Sequence, residues 1–330
     1  MKKEKPTTDY LLHIDKIKTV LKTRHGDLVP VEDVDVRIPA RTTVGLVGES
    51  GCGKSMTAMS VMDLLPKNGK VAQGRILFKG EDLLEKTDEE RRDIAGNQIS
   101  IIFQEPMTSL NPVMTVGKQV MEAITLHHKL PRREAKKQVI EIFKAVGIPE
   151  PERRFKAYPH QLSGGLRQRV MIGMAMICRP DVLIADEPTT ALDVTIEAQI
   201  LNLMKQLQEE GTSILMITHN LGVVAEICDF VYVMYAGQVI EYADVYDLFE
   251  EARHPYTEGL MAAMPSTENS ERLYNIPGAV PPLNSFPQGC RFHPRCEKKF
   301  ERCSKERPPL YDIGNGHQVR CFLYDKEDGQ

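Results

Sequence analysis

Residues 48–55 read Gly48-Glu49-Ser50-Gly51-Cys52-Gly53-Lys54-Ser55 and satisfy the pattern G-x-x-x-x-G-K-S/T at every position. The apolar residues 44–47 before this stretch predict a buried strand, and residues 54–65 after it predict a helix that Pro66 ends. A strand, a glycine-rich turn and a helix in this order gather backbone N–H groups at a helix N-terminus, where the helix dipole favours a bound phosphate. Glycine-rich loops also occur by chance, but the flanking strand and helix argue against chance here. The stretch therefore predicts an α/β fold that binds a nucleoside triphosphate.

The side chains of this loop fit the chemistry of a triphosphate such as ATP. Lys54 places a positive charge against the β- and γ-phosphate oxygens, and the hydroxyl of Ser55 is a ligand for Mg²⁺. Cys52 lies beside Lys54 and the start of the predicted helix, which predicts a lowered thiol pKa and a reactive side chain. We expect the other members of the loop to surround the phosphates: Gly48, Glu49, Ser50, Gly51 and Gly53.

A second apolar run, residues 182–185, ends in the acidic pair Asp186-Glu187. Ligands of open α/β sheets bind at the carboxyl ends of the strands, so both carboxylates are expected at such an edge. Asp186 suits the coordination shell of Mg²⁺, and Glu187 can polarise a water molecule against the γ-phosphate. Acidic pairs on solvated turns are common, but the apolar run before the pair and Pro188 after it favour a strand end. The pair favours hydrolysis over binding alone.

Composition is that of an ordinary globular chain. Of 330 residues, 42% are apolar and 27% are charged, and the length suggests two or three domains. The formal net charge of −4 and the lack of a basic stripe with interleaved aromatic residues predict no nucleic-acid partner. Residues 1–6 lack the apolar core of a signal peptide, and no run of 18 apolar residues predicts a membrane span.

Residues 162–169, Leu-Ser-Gly-Gly-Leu-Arg-Gln-Arg, resemble the signature motif of ABC-transporter ATPases, Leu-Ser-Gly-Gly-Gln followed by basic residues. The resemblance implies that Ser163, Gly164 and Gly165 cap the γ-phosphate of an ATP molecule held by an opposing subunit, so that two ATP molecules lie between two chains. Leu166 replaces the usual glutamine. We expect little loss from this change, because the backbone and serine contacts remain.

Other motifs of this family follow in the same order. Gln104 matches the Q-loop, which implies contact with the γ-phosphate, Mg²⁺ and the membrane partner. Residues 191–193 match the D-loop of the dimer interface, and His219 matches the switch histidine. A lone histidine at a strand end is more often structural, but the motifs in register favour the switch role. Leu21 lies about where the family has an aromatic ring stacked on adenine, so part of the stacking energy is expected to be missing.

The resemblance implies the following roles for site residues. The catalytic residues would be Glu187, His219 and Gln104, and the Mg²⁺ ligands would be Ser55, Gln104 and Asp186. It also implies an ABC-type P-loop domain over residues 1–250, with a RecA-like core, an antiparallel β subdomain and a helical subdomain at about residues 105–165. Local patterns agree, since residues 10–40 and 70–82 predict short antiparallel strands and residues 230–242 predict a hairpin.

Residues 251–330 form a second distinctive region, rich in proline and charge, that contains four of the seven cysteines. Its segments at 253–257, 276–283 and 289–296 resemble the C-terminal extension of ATP-binding subunits of bacterial oligopeptide and dipeptide importers. The region is too polar to bury a large core alone, so a further interaction is expected to order it. Its cysteines have the spacing C-x5-C-x6-C-x17-C: Cys290, Cys296, Cys303 and Cys321.

These cysteines favour metal ligation over disulfides if the chain resides in a reducing cytosol. The absence of a C-x-x-C pair argues against an ordinary zinc ribbon. Some importers of the resembled family carry a four-iron four-sulfur cluster at the corresponding cysteines, and four thiolates suit that cluster. Zinc and unligated thiols remain open alternatives. Cys178 and Cys228 lie in apolar contexts and are expected to be buried core residues.

The resemblance implies a peripheral ATP-hydrolysing subunit on the cytoplasmic face of the cell membrane that powers peptide import. The implied partners are two membrane permease subunits, a second ATPase subunit that forms a heterodimer with this chain, and indirectly an extracellular solute-binding protein. An importer of nickel or another small solute is the nearest alternative. A soluble ABC ATPase is a further one, although such proteins usually contain two cassettes or a coiled-coil insertion. A third alternative is a metal-sensing interaction module that works through the tail.

Overall fold

The computed structural model describes residues 10–104, 109–190, 192–264 and 275–325. Within these residues the strands are β1 (Tyr10–Thr23), β2 (Gly26–Pro39), β3 (Thr43–Val47), β4 (Gly69–Phe78), β5 (Glu81–Asp82), β6 (Ile99–Ile102), β7 (Val182–Asp186), β8 (Ser213–Thr218), β9 (Phe230–Tyr235), β10 (Gln238–Asp244), β11 (Tyr311–Asp312) and β12 (Gln318–Val319). The helices are α1 (Lys54–Val61), α2 (Asp88–Ile94), α3 (Val116–His127), α4 (Arg132–Ala145), α5 (Pro151–Arg154), α6 (Gly164–Met176), α7 (Val194–Glu210), α8 (Leu221–Ile227), α9 (Val245–Glu250), α10 (Pro255–Ala262) and α11 (Glu301–Lys305). The predicted α/β class is confirmed.

The chain divides into two compact units. The first contains Ile38–Thr43 and Asp82–Met216, and the second contains Leu12–Arg37, Val44–Glu81 and Ile217–Gln330. Each unit is built from segments that are far apart in the sequence. The units therefore do not test the predicted domain boundary between residues 250 and 251, which remains a prediction.

In the first unit, a parallel pair of strands lies beside a group of helices. β6 pairs with β7 in parallel from Ile99↔Val182 to Ile102↔Ala185. All five residues of β7 are buried, as expected for a parallel strand covered on both faces. The helices α3, α4 and α6 contact one another through apolar faces that include Val120 and Phe143. The helical prediction for residues 105–165 is confirmed for its described part, which excludes residues 105–108.

In the second unit, a four-stranded antiparallel sheet has the strand order β2-β1-β4-β5. The sequence predicts short strands here, whereas β1 and β2 each contain 14 residues. In β1 the register against β4 shifts between Asp15 and Lys18, where Lys16 has a φ of 49°, and such a bulge lets this strand bend and continue.

The other strands of the second unit follow the order β11-β12-β10-β9-β3. β3 lies parallel to β9, and β9 and β10 form the predicted antiparallel hairpin. Its turn residues Ala236 and Gly237 have φ values of 46° and 84°, the left-handed conformation of a tight hairpin turn. β12 pairs with β10 at Glu241↔Val319, so the C-terminal region extends this sheet. The sequence does not predict that contribution.

Helix α1 is shorter than predicted. It ends at Val61 instead of continuing to residue 65. Asp63 has a φ of 54°, and a left-handed residue just after a helix ends it. In the part of the chain that the structure describes, no helix combines the length and the apolar character needed to cross a bilayer.

Candidate nucleotide-binding and hydrolysis site

The glycine-rich loop connects β3 to α1, and its shape depends on glycine at two points of close approach. Gly48 has a φ of 151°, and a Cβ atom there would lie 2.1 Å from the carbonyl oxygen of Met234. Gly53 has a φ of 108°, and its Cβ would lie 2.5 Å from the carbonyl oxygen of Pro30. Any larger residue would therefore displace the loop. The loop has the conformation of a phosphate cradle at the start of a helix.

The ammonium group of Lys54 contacts the backbone of this loop. Its side chain is buried, and Nζ donates to the carbonyl oxygens of Gly48 at 2.7 Å and Glu49 at 3.1 Å. Ser55 follows it in the first turn of α1 and is partly exposed. The loop thus combines backbone donors, a positive charge and a hydroxyl group, which are the groups that a Mg²⁺-bound triphosphate requires.

The pKa of the Cys52 thiol differs from the value that the sequence predicts. The side chain is 1% exposed, and burial raises its pKa above the ordinary value of 9.0, with only partial offset from Lys54. The prediction of a lowered pKa is therefore wrong, because burial of the side chain disfavours the thiolate more than Lys54 favours it. Burial also raises the pKa of Cys178, to about 11, and of Cys228. Cys228 is buried as predicted, but Cys178 is only partly buried.

In the first unit, the structure brings together two predicted site residues at the carboxyl ends of β6 and β7. Gln104 Nε2 donates to Glu187 Oε2 at 3.0 Å. Thr190 Oγ1 donates to the same carboxylate oxygen at 3.2 Å. Glu187 has a φ of 47°, so the backbone turns sharply after the strand. Asp186, the last residue of β7, is buried.

The predicted signature motif opens helix α6. The hydroxyl of Ser163 caps this helix by accepting a hydrogen bond from the backbone N–H of Leu166 at 3.4 Å. Because this contact uses the backbone of residue 166, it does not require glutamine at that position. Ser163 and Gly164 are exposed, which leaves the helix N-terminus open to an anion.

A contact behind the signature motif is not predicted by the sequence. Gln168 is buried in α6 and donates from Nε2 to the carbonyl oxygen of Pro188. The contact links the signature helix to the turn that carries Glu187. A buried polar residue on an otherwise apolar helix face is the signal that could have indicated such a role.

The remaining predicted residues occupy exposed or partly buried positions. His219 directly follows β8, belongs to the second unit and is exposed. Asp193 caps α7 by accepting a hydrogen bond from the N–H of Ile196 at 3.1 Å. Ala191, the first residue of the predicted D-loop, lies outside the described residues. Leu21 is partly buried on β1.

The four cysteines of the C-terminal region line one small cavity in the second unit. The backbone N–H of Cys290 donates to the carbonyl oxygen of Cys303 at 2.8 Å. Gly289 permits this approach, because a Cβ there would lie 2.4 Å from that oxygen. Burial raises the pKa of Cys290 to about 11 and of Cys321 to about 12, and neighbouring cysteines add to both shifts.

Cysteine thiolates are ligands for zinc and for iron–sulfur clusters, so the four residues of this cavity form a suitable donor set for either. Elsewhere in the described residues, three potential ligand atoms lie within 4.8 Å of one another, at His13, Asp15 and Asp35.

The glycine-rich loop, the strand-end carboxylates and the capped signature helix define the class of protein: an ATP-binding cassette. Residues 31–190 match the family described as ABC transporter, and residues 240–303 match the family described as oligopeptide/dipeptide transporter, C-terminal region.

Whole-length relatives extend the comparison. The oligopeptide transport ATP-binding protein AppD of Bacillus subtilis (strain 168) is 48% identical over 97% of this chain and 98% of its own length. The oligopeptide transport ATP-binding protein OppD of Escherichia coli (strain K12) is 47% identical over 95% of this chain and 93% of its own length. The dimeric post-hydrolysis structure of the ATP-binding cassette MJ0796 bound to ADP and Pi has a TM-score of 0.66 and 25% identity, covering 71% of this chain and 98% of that one. The chain belongs to the ATP-binding subunits of oligopeptide and dipeptide ABC transporters, and it is an ATP hydrolase of that family.

Proposed function

We propose that this chain hydrolyses ATP to power the import of oligopeptides or dipeptides through an ABC transporter of several subunits. The observation that carries the proposal is the match of both regions, the cassette at residues 31–190 and the extension at 240–303. Relatives named for oligopeptide and dipeptide transport cover almost the whole chain.

In this proposal the phosphate loop binds ATP, and Lys54 neutralises charge on the β- and γ-phosphates. Ser55, Gln104 and Asp186 would hold Mg²⁺, which would supply further charge neutralisation. Glu187 acts as the general base toward water. Its contacts with Gln104 and Thr190 support this role, because a carboxylate that accepts two hydrogen bonds is held in one orientation. His219 acts at the γ-phosphate.

The proposed partners are the other subunits of a peptide importer. We assign the chain to the cytoplasmic face of the cell membrane, bound to two permease subunits, with a solute-binding protein acting on the outer side. The signature motif of this chain would contact the ATP molecule bound by a second, different ATPase subunit. The exposure of Ser163 and Gly164 supports this assignment, because these residues are accessible to a nucleotide on another chain.

The cysteine cavity is proposed to hold a four-iron four-sulfur cluster with a structural role. Four thiols that line one cavity form a suitable donor set for such a cluster. The predicted hydrolysis residues include none of these cysteines, so the proposed role is to order residues 280–325.

Peptide uptake by cells that lack this chain tests the transport function. Wild-type protein should restore uptake of labelled dipeptides or oligopeptides, and Glu187→Gln should not. Restoration of nickel uptake alone would favour the alternative small-solute importer. Equal peptide uptake with the wild type, Glu187→Gln and an empty vector would refute a role in peptide import.

A further inference from the structure

The C-terminal extension contacts the phosphate loop at Glu49. Arg295 donates from Nη1 to Glu49 Oε2 at 2.7 Å and from Nη2 to Glu49 Oε1 at 3.2 Å. The hydroxyl of Tyr256 accepts a hydrogen bond from the backbone N–H of Glu49 at 2.9 Å. Both the side chain and the backbone of this loop residue are therefore held by residues from beyond position 250.

Arg295 is fixed independently of Glu49. Its Nε donates to the carbonyl oxygen of Pro277 at 2.8 Å, and its Nη2 donates to that of Ile276 at 3.3 Å. The arginine side chain is 5% exposed, whereas that of Glu49 is 32% exposed. A buried guanidinium that makes two parallel bonds to a carboxylate constrains direction as well as distance. Arg295 thus holds the carboxylate of Glu49 from a buried position that its other hydrogen bonds fix.

Tyr256 is equally constrained. It is fully buried, and its ring packs against Tyr235 and Phe292 with centroid distances of 4.7 and 5.4 Å. The hydroxyl group therefore has one position, and the Glu49 N–H points into the protein toward it. The next two loop residues, Ser50 and Gly51, are exposed.

We propose that Arg295 and Tyr256 are positioning residues for ATP binding, which hold Glu49 so that the phosphate loop has its binding shape before the nucleotide arrives. The inference rests on the proposed ATP site and adds a role for the C-terminal extension in it. Pre-organisation lowers the cost of binding, so its loss should weaken ATP binding more than it slows the chemical step.

The test uses the full chain with Mg²⁺ and a fluorescent ATP analogue, and it measures Kd, KM and kcat separately. Arg295→Gln should raise Kd and KM by about tenfold, the effect expected for lost hydrogen bonds to a charged group, while kcat stays within about twofold. Tyr256→Phe should raise Kd in the same direction. Arg295→Lys should bind ATP more tightly than Arg295→Gln, because lysine keeps the positive charge but cannot make the two parallel hydrogen bonds of a guanidinium. Glu49→Gln combined with Arg295→Gln should be little worse than either change alone.

Arg320→Gln is a matched control. Arg320 is also a largely buried arginine of the extension, bonded to Asp33 Oδ2 at 2.9 Å and to the carbonyl oxygen of Val239 at 3.0 Å, but it is not among the residues bonded to Glu49. A folded Arg295→Gln protein with wild-type Kd would overturn the inference, and so would an equal loss of affinity in Arg320→Gln. Lys54→Ala distinguishes a failure of the positioning role from a failure of the proposed ATP site. If Lys54→Ala abolishes binding and Arg295→Gln has no effect, only the positioning role fails, whereas unchanged binding in Lys54→Ala refutes the ATP site itself.

Discussion

Gln104 and Glu187 lie 83 positions apart in sequence, yet a hydrogen bond of 3.0 Å joins the amide nitrogen of one to the carboxylate of the other. The parallel pairing of β6 and β7 explains the contact, because it brings the carboxyl ends of the two strands to the same edge. The general base proposed for hydrolysis is therefore already oriented by a residue proposed to contact the γ-phosphate.

Glu187→Gln should keep ATP binding but lower the steady-state release of phosphate by roughly 10²- to 10⁴-fold, since an amide cannot accept a proton from water. The variant should also favour the closed ATP-bound dimer. Glu197→Gln is a suitable control, because Glu197 is bonded to Thr189 in the same turn region and has no proposed catalytic role. Near-normal phosphate release by Glu187→Gln would refute the assignment of Glu187 as the general base.

Cys52 should react slowly with alkylating reagents. Its side chain is buried and its pKa is raised by burial, so little thiolate exists at neutral pH. Among the cysteines outside the C-terminal region, Cys178 should react first because it is the most exposed. Peptide mapping by mass spectrometry after brief alkylation of the folded protein measures this order. Modification of Cys52 before Cys178 would contradict it.

Acid should destabilise the second unit through Glu241. This fully buried carboxylate accepts hydrogen bonds from His317 at 2.8 Å and from the N–H groups of Arg253 and His254 at 2.6 and 2.9 Å. Burial alone would raise its pKa, but the hydrogen bonds outweigh burial and the pKa lies below 4.5. The unfolded chain therefore binds the proton more tightly, so this contribution to stability is fully present above pH 4.5 and is lost as the pH falls through the lower folded pKa.

Thermal unfolding between pH 3 and 7 measures this effect. Glu241→Gln should be less stable than the wild type at neutral pH, and the difference should shrink as the pH is lowered. A difference that stays constant across this range would show that the charge of Glu241 is not the cause.

Local features were predictable from the sequence, and long-range contacts were not. The phosphate loop and the β9–β10 hairpin depend on residues close together in the chain, so their patterns are visible directly. The pairing of Arg295 with Glu49 spans 246 positions and leaves no local pattern. The backbone carbonyl oxygen of Cys52 likewise accepts a hydrogen bond from the distant N–H of Gly237, which the sequence does not predict. Strands β11 and β12 contain two residues each, too few for a periodic signal.

The complete transporter should contain this chain paired with a different ATPase subunit. The exposed N-terminus of α6 would then act on the nucleotide of that second subunit. In isolation, the chain should associate with itself weakly or only when ATP is bound. Subunit stoichiometry in the purified native complex measures the pairing. Two copies of this chain without any other ATPase would overturn the heterodimer.

Protein purified without oxygen should contain about four irons per chain and should be brown, as expected for one four-iron four-sulfur cluster. Zinc would instead give a colourless protein with about one metal per chain. Cys303→Ser should lose the iron and make residues 280–325 sensitive to protease, because this cysteine is buried in the cavity that the other three cysteines also line.

Cys178→Ser is the control for this experiment, since Cys178 is not among the residues that line the cavity, and it should retain the metal. The expected order of events is loss of metal followed by loosening of the tail, because a metal centre bound by four thiolates would join the segments that carry these cysteines. Anaerobically prepared protein that contains neither iron nor zinc, yet has a protease-resistant tail, would exclude a metal as the element that orders this region.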